Sequence, residues 1–138
     1  MKFIILIWRW CPAVLCMALI FYFSHQPSSR LESYLPWFQK MIPWMDNFDW
    51  GHLVAYFVLG ITVYFGVGPR WAHRKGRITT VIICTVYGVL DEYHQTFIDG
   101  RTAELTDILN DALGATFAVL IMSIPRVHQA YMRVARKY

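Results

Sequence analysis

The sequence predicts an all-α membrane protein, a bundle of four transmembrane helices with an interfacial helical segment in the outer leaflet between the first and second helices. One observation is that apolar residues make up 57% of the 138-residue chain and are gathered into four blocks. They do not recur with the period of a soluble amphipathic helix. The other is that charges are separated by sign. All nine acidic residues fall within 24–52 and 91–111, whereas ten of the thirteen basic residues lie elsewhere. This asymmetry is typical of a multi-pass membrane protein whose basic side is cytoplasmic.

The apolar blocks are 3–23, 53–67, 78–97 and 108–124. They predict four helices of a single domain, 1–138, at about 3–23, 52–67, 78–97 and 107–124. A helix needs about 20 residues to cross roughly 30 Å of hydrocarbon, so the second and fourth blocks need flanking residues to span. His52 and Asp107 are among those flanking residues. The first block could also be a signal peptide, but Arg9 interrupts it and no small-x-small cleavage pattern follows. We therefore expect an uncleaved first helix.

The connections between the blocks differ in composition. The first, 24–51, is rich in aromatic residues, too polar to span and too apolar to leave the membrane, so we expect one or two short helices flat in the outer headgroup region. The second, 68–77, is a short basic turn, and the third, 98–106, contains an Asp-Gly turn dipeptide. With an inside N-terminus, about ten basic residues lie in the cytoplasm, as do both termini and the basic tail 125–138.

Composition argues against two classes of protein. The isoelectric point near 9.1 does not indicate a nucleic-acid partner, because the basic residues lie where membrane orientation places them. An external disulfide framework is not expected either, since the cysteines are odd in number and lie inside apolar blocks. They are Cys11, Cys16 and Cys84.

Polar stripes occupy one face of three predicted helices, at their acidic ends. On the second helix the stripe comprises Asp49, His52, Tyr56 and Gly60. On the third it comprises Tyr87, Asp91, His94 and Gln95, with Glu92 about a quarter turn away. On the fourth it comprises Asp107, Asn110, Asp111 and Gly114. Because an ionisable group at the bilayer centre costs roughly 2.5–3.5 kcal/mol on insertion scales, we expect the stripes to face one another near the outer surface.

Packing alone accounts for some of these residues. Asp107 and Asp111 are favoured near a helix N-terminus by the helix dipole, and single buried histidines or tyrosines are commonly helix contacts. The combination exceeds what packing in so small a bundle requires, and it favours a functional site. That combination is two histidines, at least four carboxylates, Gln95, Asn110 and Arg101.

Four motifs occur in order over about residues 20–120. They are Phe23-Ser24-His25-Gln26-Pro27, Asp49-x-x-His52-x-x-x-Tyr56-x-x-Leu59-Gly60, Asp91-Glu92-x-His94-Gln95-x-Phe97-x-x-Gly100-Arg101 and Asp107-x-x-Asn110-x-x-x-Gly114. In order and spacing the chain resembles the VanZ-like family of bacterial membrane proteins. The resemblance implies a small inner-membrane protein of the bacterial cell envelope, in a family whose namesake gives low-level teicoplanin resistance, without a settled reaction. Two positions depart from the family pattern: Asp99 replaces the usual Pro before Gly-Arg, and Ala118 replaces a common second Gly.

One hypothesis is an enzyme that acts on a lipid-linked, peptidoglycan-type component at the outer leaflet. His52 or Glu92 would be the general base, because a histidine beside a carboxylate suits proton transfer near neutral pH. Asp49 and Asp91 complete the candidate catalytic groups. The candidate substrate-binding residues are Arg101, Gln95, His94, Asn110, Tyr56 and His25.

The acidic residues raise an electrostatic difficulty for an anionic substrate. Six carboxylates between 91 and 111, with a single arginine, repel a phosphate unless a cation intervenes or some are protonated. Asp91, Glu92 and Asp107 are candidate ligands for a divalent cation, and Mg²⁺ or Ca²⁺ suits oxygen ligands. No spacing here is a recognised metal motif, so the cofactor stays open.

Two other hypotheses remain. A non-catalytic protein could use its acidic outer site to sequester a cationic envelope ligand, the glycopeptide itself or a partner protein. A proton-coupled carrier or flippase could use the ionisable residues as a relay, although they are confined to the outer half, so an oligomer would have to complete the path. Whether the protein is an enzyme is left open by the sequence.

Overall fold

The computed structural model describes residues 2–41, 43, 49–69 and 73–135, with side chains from residue 5 onward apart from that of Asp49. Within these residues every regular element is an α-helix, which confirms the all-α prediction. The helices are α1 Lys2–Ser24, α2 Ser28–Met41, α3 Asp49–Val67, α4 Arg74–Gln95, α5 Leu105–Ser123 and α6 Pro125–Ala135.

The four long helices lie where the apolar blocks predict them, with ends shifted by a few residues. α3 ends at Val67 because Gly68 has a φ of +88°, the left-handed conformation that closes a helix C-terminus at low cost only for glycine. α4 begins at Arg74, four residues before the predicted start, so its first turn is basic and not apolar. Its last turn ends at Gln95, two residues before the predicted end.

Among the described residues, three helices are long and apolar enough to cross a membrane: Ile5–Ser24, Trp50–Val67 and Leu105–Ser123. Apolar side chains such as Leu19, Val58 and Leu120 are exposed on them, as expected for surfaces that meet lipid. α4 is 22 residues long, but charged residues near both of its ends lower its mean hydropathy. These helices indicate a membrane protein, and a fourth span remains a prediction.

α3 is the central helix of the bundle. It contacts α5 most extensively and also packs against α1 and α4. Small residues allow the close approach to α5: a Cβ placed on Gly60 would lie 2.7 Å from the Cβ of Ala118, and Gly114 packs against the carbonyl oxygen of Leu53. The core around this contact is apolar and fully buried, and it includes Ala13, Tyr56, Leu59, Val63, Cys84 and Ala115.

The first connection contains the short helix α2, as predicted. No residue of α2 is buried, and Trp37 and Met41 are exposed. Its position in the outer headgroup region remains a prediction. Trp44 and Phe48, which belong to the same predicted segment, lie outside the described residues.

Residues 125–135, predicted only as a basic tail, form the amphipathic helix α6. Tyr131 and Ala135, one turn apart, are buried, and the ring of Tyr131 lies 5.2 Å from that of Tyr64 on α3. This buried face is too short to stand out among basic residues in the sequence, and side chains of α3 and α5 supply its packing surface. Residues 136–138 of the predicted tail lie outside the described residues.

The two ends of the bundle carry opposite charge. At one end, the C-termini of α1 and α4 meet the N-termini of α3 and α5, bringing acidic residues of α4 and α5 to His52. At the other end, the Arg9 guanidinium lies 5.9 Å from the centroid of the Phe65 ring and packs against Gly68. Cationic side chains of α1 and α6 therefore lie away from the acidic end.

Candidate functional site

One imidazole lies among three carboxylates at the acidic end of the bundle. His52 Nδ1 is 3.0 Å from Asp111 Oδ1, and His52 Nε2 is 3.6 Å from Asp107 Oδ2 and 3.9 Å from Glu92 Oε1. We call these four residues the His52 cluster. Three helices supply it, so it forms only when the bundle is assembled.

The positions of the four residues in their helices explain the cluster. His52 is in the first turn of α3, Glu92 is in the last turn of α4, and Asp107 and Asp111 lie one turn apart at the start of α5. α4 and α5 are consecutive helices joined by a short connection, and both pack on α3. The end of one and the start of the other therefore reach the same end of α3.

Within the described residues, two buried carboxylate oxygens of the cluster lack hydrogen-bond partners. Glu92 is 1% exposed; its Oε2 accepts a hydrogen bond of 2.9 Å from the Glu104 backbone N–H, while no described group donates a hydrogen bond to its Oε1. Asp111 is 0% exposed, and its Oδ2 likewise accepts no hydrogen bond from the part of the chain that the structure describes. An unsatisfied polar group in a buried position costs about 1–3 kcal/mol, and more when it is charged, so these oxygens are unusual.

Asp91 lies in a separate buried group between α1 and α4. Ser24 Oγ donates a 2.7 Å hydrogen bond to Asp91 Oδ2, and Gln95 Nε2 lies 3.5 Å from the same oxygen and 3.4 Å from Ser24 Oγ. Although Asp91 and Glu92 are adjacent in sequence, they face different helices. The two predicted catalytic carboxylates of α4 therefore have different hydrogen-bond partners.

A pair of histidines lies beside the Asp91 group. His25 Nδ1 and His94 Nε2 are 3.2 Å apart, and one of the two must donate while the other accepts. The ring of Phe21 stacks on that of His94 at 4.6 Å. His25 is exposed and His94 is partly buried, so the pair forms the more open side of the polar end.

The remaining predicted site residues have more limited roles in the described structure. The ring of Tyr56 stacks 6.4 Å from that of His52, and its buried hydroxyl has no hydrogen bond. Asn110 is partly buried on α5. Arg101 lies three residues before Glu104, and its Nε is buried without a hydrogen bond. The side chain of Asp49 lies outside the described residues.

Three residues of the polar end were not assigned a functional role from the sequence. In the sequence the helix dipole explains Asp111 on its stripe, and the i, i+4 spacing from Asp107 is the signal for a shared site. Ser24 stands only within a sequence motif. Gly88 had no signal, yet its Cα lies against the Asp111 carboxylate.

The cluster offers a group of metal ligands that differs from the predicted one. Suitable atoms of His52, Glu92 and Asp107 all lie within 4.8 Å of one another. The predicted set was Asp91, Glu92 and Asp107, and the structure places the Asp91 side chain with Ser24 and Gln95 instead. An imidazole held by a carboxylate on one nitrogen presents its other nitrogen to a proton or to a cation.

Comparisons with known proteins agree with the motifs. An uncharacterized protein of Schizosaccharomyces pombe is 31% identical over 71 residues, which cover 51% of this chain and 43% of that protein. The matched region therefore spans less than half of that relative. No solved structure matches the chain. A family model described as VanZ/LLP1 matches residues 9–126, most of the chain, and the chain therefore belongs to the VanZ/LLP1 family.

Proposed function

We propose that this chain is a four-spanning protein of the bacterial cytoplasmic membrane that acts at the outer leaflet on the phosphate-bearing headgroup of a lipid-linked envelope component. The observation that carries the proposal is the His52 cluster, with two buried carboxylate oxygens to which no described residue donates a hydrogen bond. A site of this kind at one end of an otherwise apolar bundle suits a substrate whose headgroup projects from the bilayer surface.

The packing of α4 supports its role as the fourth span. Its mean hydropathy is lowered in part by Asp91 and Glu92, but both side chains are buried in the bundle and do not face lipid. The lipid-facing side chains of α4, such as Ile82, Val86 and Val89, are apolar. With four spans, both termini lie on the basic side, which the positive-inside rule assigns to the cytoplasm.

The orientation of His52 supports proton transfer at this site. A carboxylate can only accept a hydrogen bond, so the contact with Asp111 places the hydrogen of a neutral imidazole on Nδ1 and leaves the Nε2 lone pair directed at Glu92 and Asp107. Such a group can take the proton of a water or hydroxyl whose oxygen attacks the headgroup phosphorus, while a phosphoester bond breaks and the departing alkoxide takes up a proton. We propose that modification of lipid-linked precursors by this route lowers susceptibility to teicoplanin.

The acidity of the site supports a second candidate, a non-catalytic protein that sequesters a cationic envelope ligand or the glycopeptide. Three carboxylates around a single histidine attract cations without further rearrangement. A proton-coupled carrier is less well supported, because the buried residues described beyond Tyr56 include no carboxylate or histidine. Most are apolar, namely Leu59, Val63, Ala115, Ala118 and Val119, and Thr80 is a buried polar residue among them.

The test is teicoplanin and vancomycin susceptibility of a Gram-positive host that expresses wild type, Glu92→Gln or His52→Ala, with the amount of each protein in the membrane measured. The matched control is Asp99→Asn, which removes an exposed carboxylate from the same end of the molecule. If the protein is an enzyme, Glu92→Gln and His52→Ala should abolish teicoplanin protection at membrane levels equal to those of the wild type. The Asp99→Asn control should keep its protection.

Other outcomes separate the candidates. If the protein sequesters a cationic ligand, teicoplanin protection should decrease gradually as carboxylates are removed. Asp99→Asn should then also reduce protection, and high salt should weaken it. Unchanged protection by Glu92→Gln and His52→Ala at equal levels would exclude a functional role for the cluster. No protection by the wild type would exclude the resistance role.

A further inference from the structure

We propose that His52 Nε2, Glu92 Oε1 and Asp107 Oδ2 bind one divalent transition-metal ion of the Zn²⁺ or Mn²⁺ class, with Asp111 as the residue that positions His52. A bound metal ion would attract an anionic headgroup to this acidic site, so the inference deepens the proposed function. It rests on that function only for the identity of the substrate. Metal binding itself depends on the cluster alone.

The distances between the ligand atoms suit a single ion. Nε2 of His52 lies 3.6 Å from Asp107 Oδ2 and 3.9 Å from Glu92 Oε1. Two atoms that are each about 2.1 Å from one ion lie at most about 4.2 Å apart. The three ligand atoms lie within 4.8 Å of one another, and Asp107 is only partly buried, so a small rotation of its side chain completes the set.

The hydrogen bond from His52 to Asp111 is the second-shell contact that metal-binding histidines commonly make. At 3.0 Å it fixes the ring orientation and keeps the hydrogen on Nδ1, so Nε2 is available as a ligand. Asp111 lies on α5 one turn from Asp107, and one helix therefore supplies both a ligand and the group that orients another ligand.

Glu92 gives an independent indication of a bound cation. Its side chain is 1% exposed, and the Glu104 backbone N–H holds Oε2 at 2.9 Å. This contact leaves Oε1 directed toward His52 Nε2, and no residue that the structure describes gives it a hydrogen bond. Buried charges are normally paired or bound to metal, and in the described part of the cluster the nearest opposing group is a single imidazole. A divalent ion would satisfy this oxygen and offset the excess negative charge.

The mixed ligand set indicates which metals fit. Imidazole suits Zn²⁺ and other transition metals, carboxylates suit Mn²⁺ as well, and Mg²⁺ prefers all-oxygen sites in which it keeps several waters. The proposed ligand set contains His52 where the sequence prediction had Asp91. The expected ion is therefore Zn²⁺ or Mn²⁺ and no longer Mg²⁺ or Ca²⁺. Three protein ligands leave at least one position open, which is the arrangement of catalytic rather than structural zinc sites.

The experiment uses the purified full-length chain in detergent, stripped with a chelator and equilibrated separately with Zn²⁺, Mn²⁺, Mg²⁺ or Ca²⁺. Metal retained after gel filtration is measured by mass spectrometry of the metal. We expect about one Zn²⁺ or Mn²⁺ per wild-type chain, loss of this ion in His52→Ala and Asp107→Asn, and affinity about 10–100-fold weaker in Asp111→Asn.

The matched control is Asp91→Asn, which neutralises a buried carboxylate of α4 one residue from Glu92 and should keep the ion. Should His52→Ala not insert, Asp107→Asn decides the location, because its side chain is only partly buried. A folded wild type that retains neither Zn²⁺ nor Mn²⁺ would overturn the proposal. Equal retention by wild type and Asp107→Asn would overturn the assignment to this cluster.

The results also separate the metal site from the proposed function. If the wild type binds the ion but Glu92→Gln still protects cells from teicoplanin, the proposed function fails and the metal site stands. If the wild type binds no ion while Glu92→Gln abolishes protection, the metal site fails and the function of the cluster stands.

Discussion

The backbone of Gly88 on α4 packs directly against the carboxylate of Asp111 on α5. A Cβ placed on Gly88 would lie 3.1 Å from the Cβ of Asp111 and still closer to Oδ2. Only the absence of a side chain at position 88 allows Asp111 to occupy its buried position and to accept the hydrogen bond from His52. A glycine outside the candidate ligands thus sets the geometry of the cluster.

Gly88→Ala should therefore displace Asp111 and reduce stability. Overpacking of a buried contact costs about 1–3 kcal/mol in the free energy of unfolding. Thermal unfolding of the purified protein in detergent would measure this loss. Zn²⁺ or Mn²⁺ affinity should fall in the same variant, because His52 loses its orienting partner.

The matched control for this substitution is Gly51→Ala. A Cβ at Gly51 would meet nothing within 4 Å, and alanine is a better helix former than glycine by about 1 kcal/mol. Gly51→Ala should be neutral or slightly stabilising. If Gly88→Ala behaved in the same way as Gly51→Ala, close packing at Gly88 would not constrain the cluster.

Ser24→Ala should weaken the contact between α1 and α4 without affecting the metal site. Ser24 Oγ donates the short hydrogen bond to buried Asp91, and the remaining donor, Gln95 Nε2, lies 3.5 Å away. Loss of a hydrogen bond to a buried charged group costs about 1–3 kcal/mol. Unfolding measurements should show this decrease, with the metal content unchanged.

Ser123→Ala provides a control of the same chemistry within one helix. Ser123 Oγ donates to the Val119 carbonyl oxygen of its own helix, a bond that contributes little to tertiary packing. We expect Ser123→Ala to have a smaller effect than Ser24→Ala. A loss of bound metal in Ser24→Ala would contradict the separation of the Asp91 group from the His52 cluster.

Cysteine labelling should reveal four spans. Asp99→Cys lies in the exposed turn after α4, whereas His73→Cys lies at the exposed start of α4. If α4 crosses the membrane, a membrane-impermeant maleimide should label Asp99→Cys in intact cells and His73→Cys only after the membrane is opened. The unsubstituted chain, with Cys11, Cys16 and Cys84, gives the background labelling.

Two further positions extend this test to α2 and α6. Ser29→Cys, exposed on α2, should react from outside, and Gln129→Cys, exposed on α6, should react only from inside. Labelling of His73→Cys and Asp99→Cys from the same side would exclude α4 as a span. The remaining candidate spans would then leave the termini on opposite sides.

Local patterns predicted the helices well because membrane helices are specified by length and hydropathy, which are properties of consecutive residues. The long helices α1, α3, α4 and α5 lie at the predicted apolar blocks, with ends shifted by up to four residues. α6 was not predicted because its buried face consists mainly of Tyr131 and Ala135, and this face becomes apparent only when Tyr64 packs on it.

The polar stripes were also readable from the sequence, since a period of 3.6 places residues three and four apart on one face. The helical period does not predict which residue of another helix each stripe residue contacts. Asp91 and Glu92 are adjacent and equally acidic, yet one accepts a hydrogen bond from Ser24 and the other lies beside His52.

The sequence by itself determined the four long helices, the family and the concentration of ionisable residues toward one end, because each depends on residue type and spacing along the chain. The tertiary structure alone decided how those residues divide into an Asp91 group and a His52 cluster. Consecutive residues on a helix point about 100° apart, so the division depends on which neighbour lies on each side of α4. α1 lies beside Asp91, whereas α3 and the start of α5 lie beside Glu92.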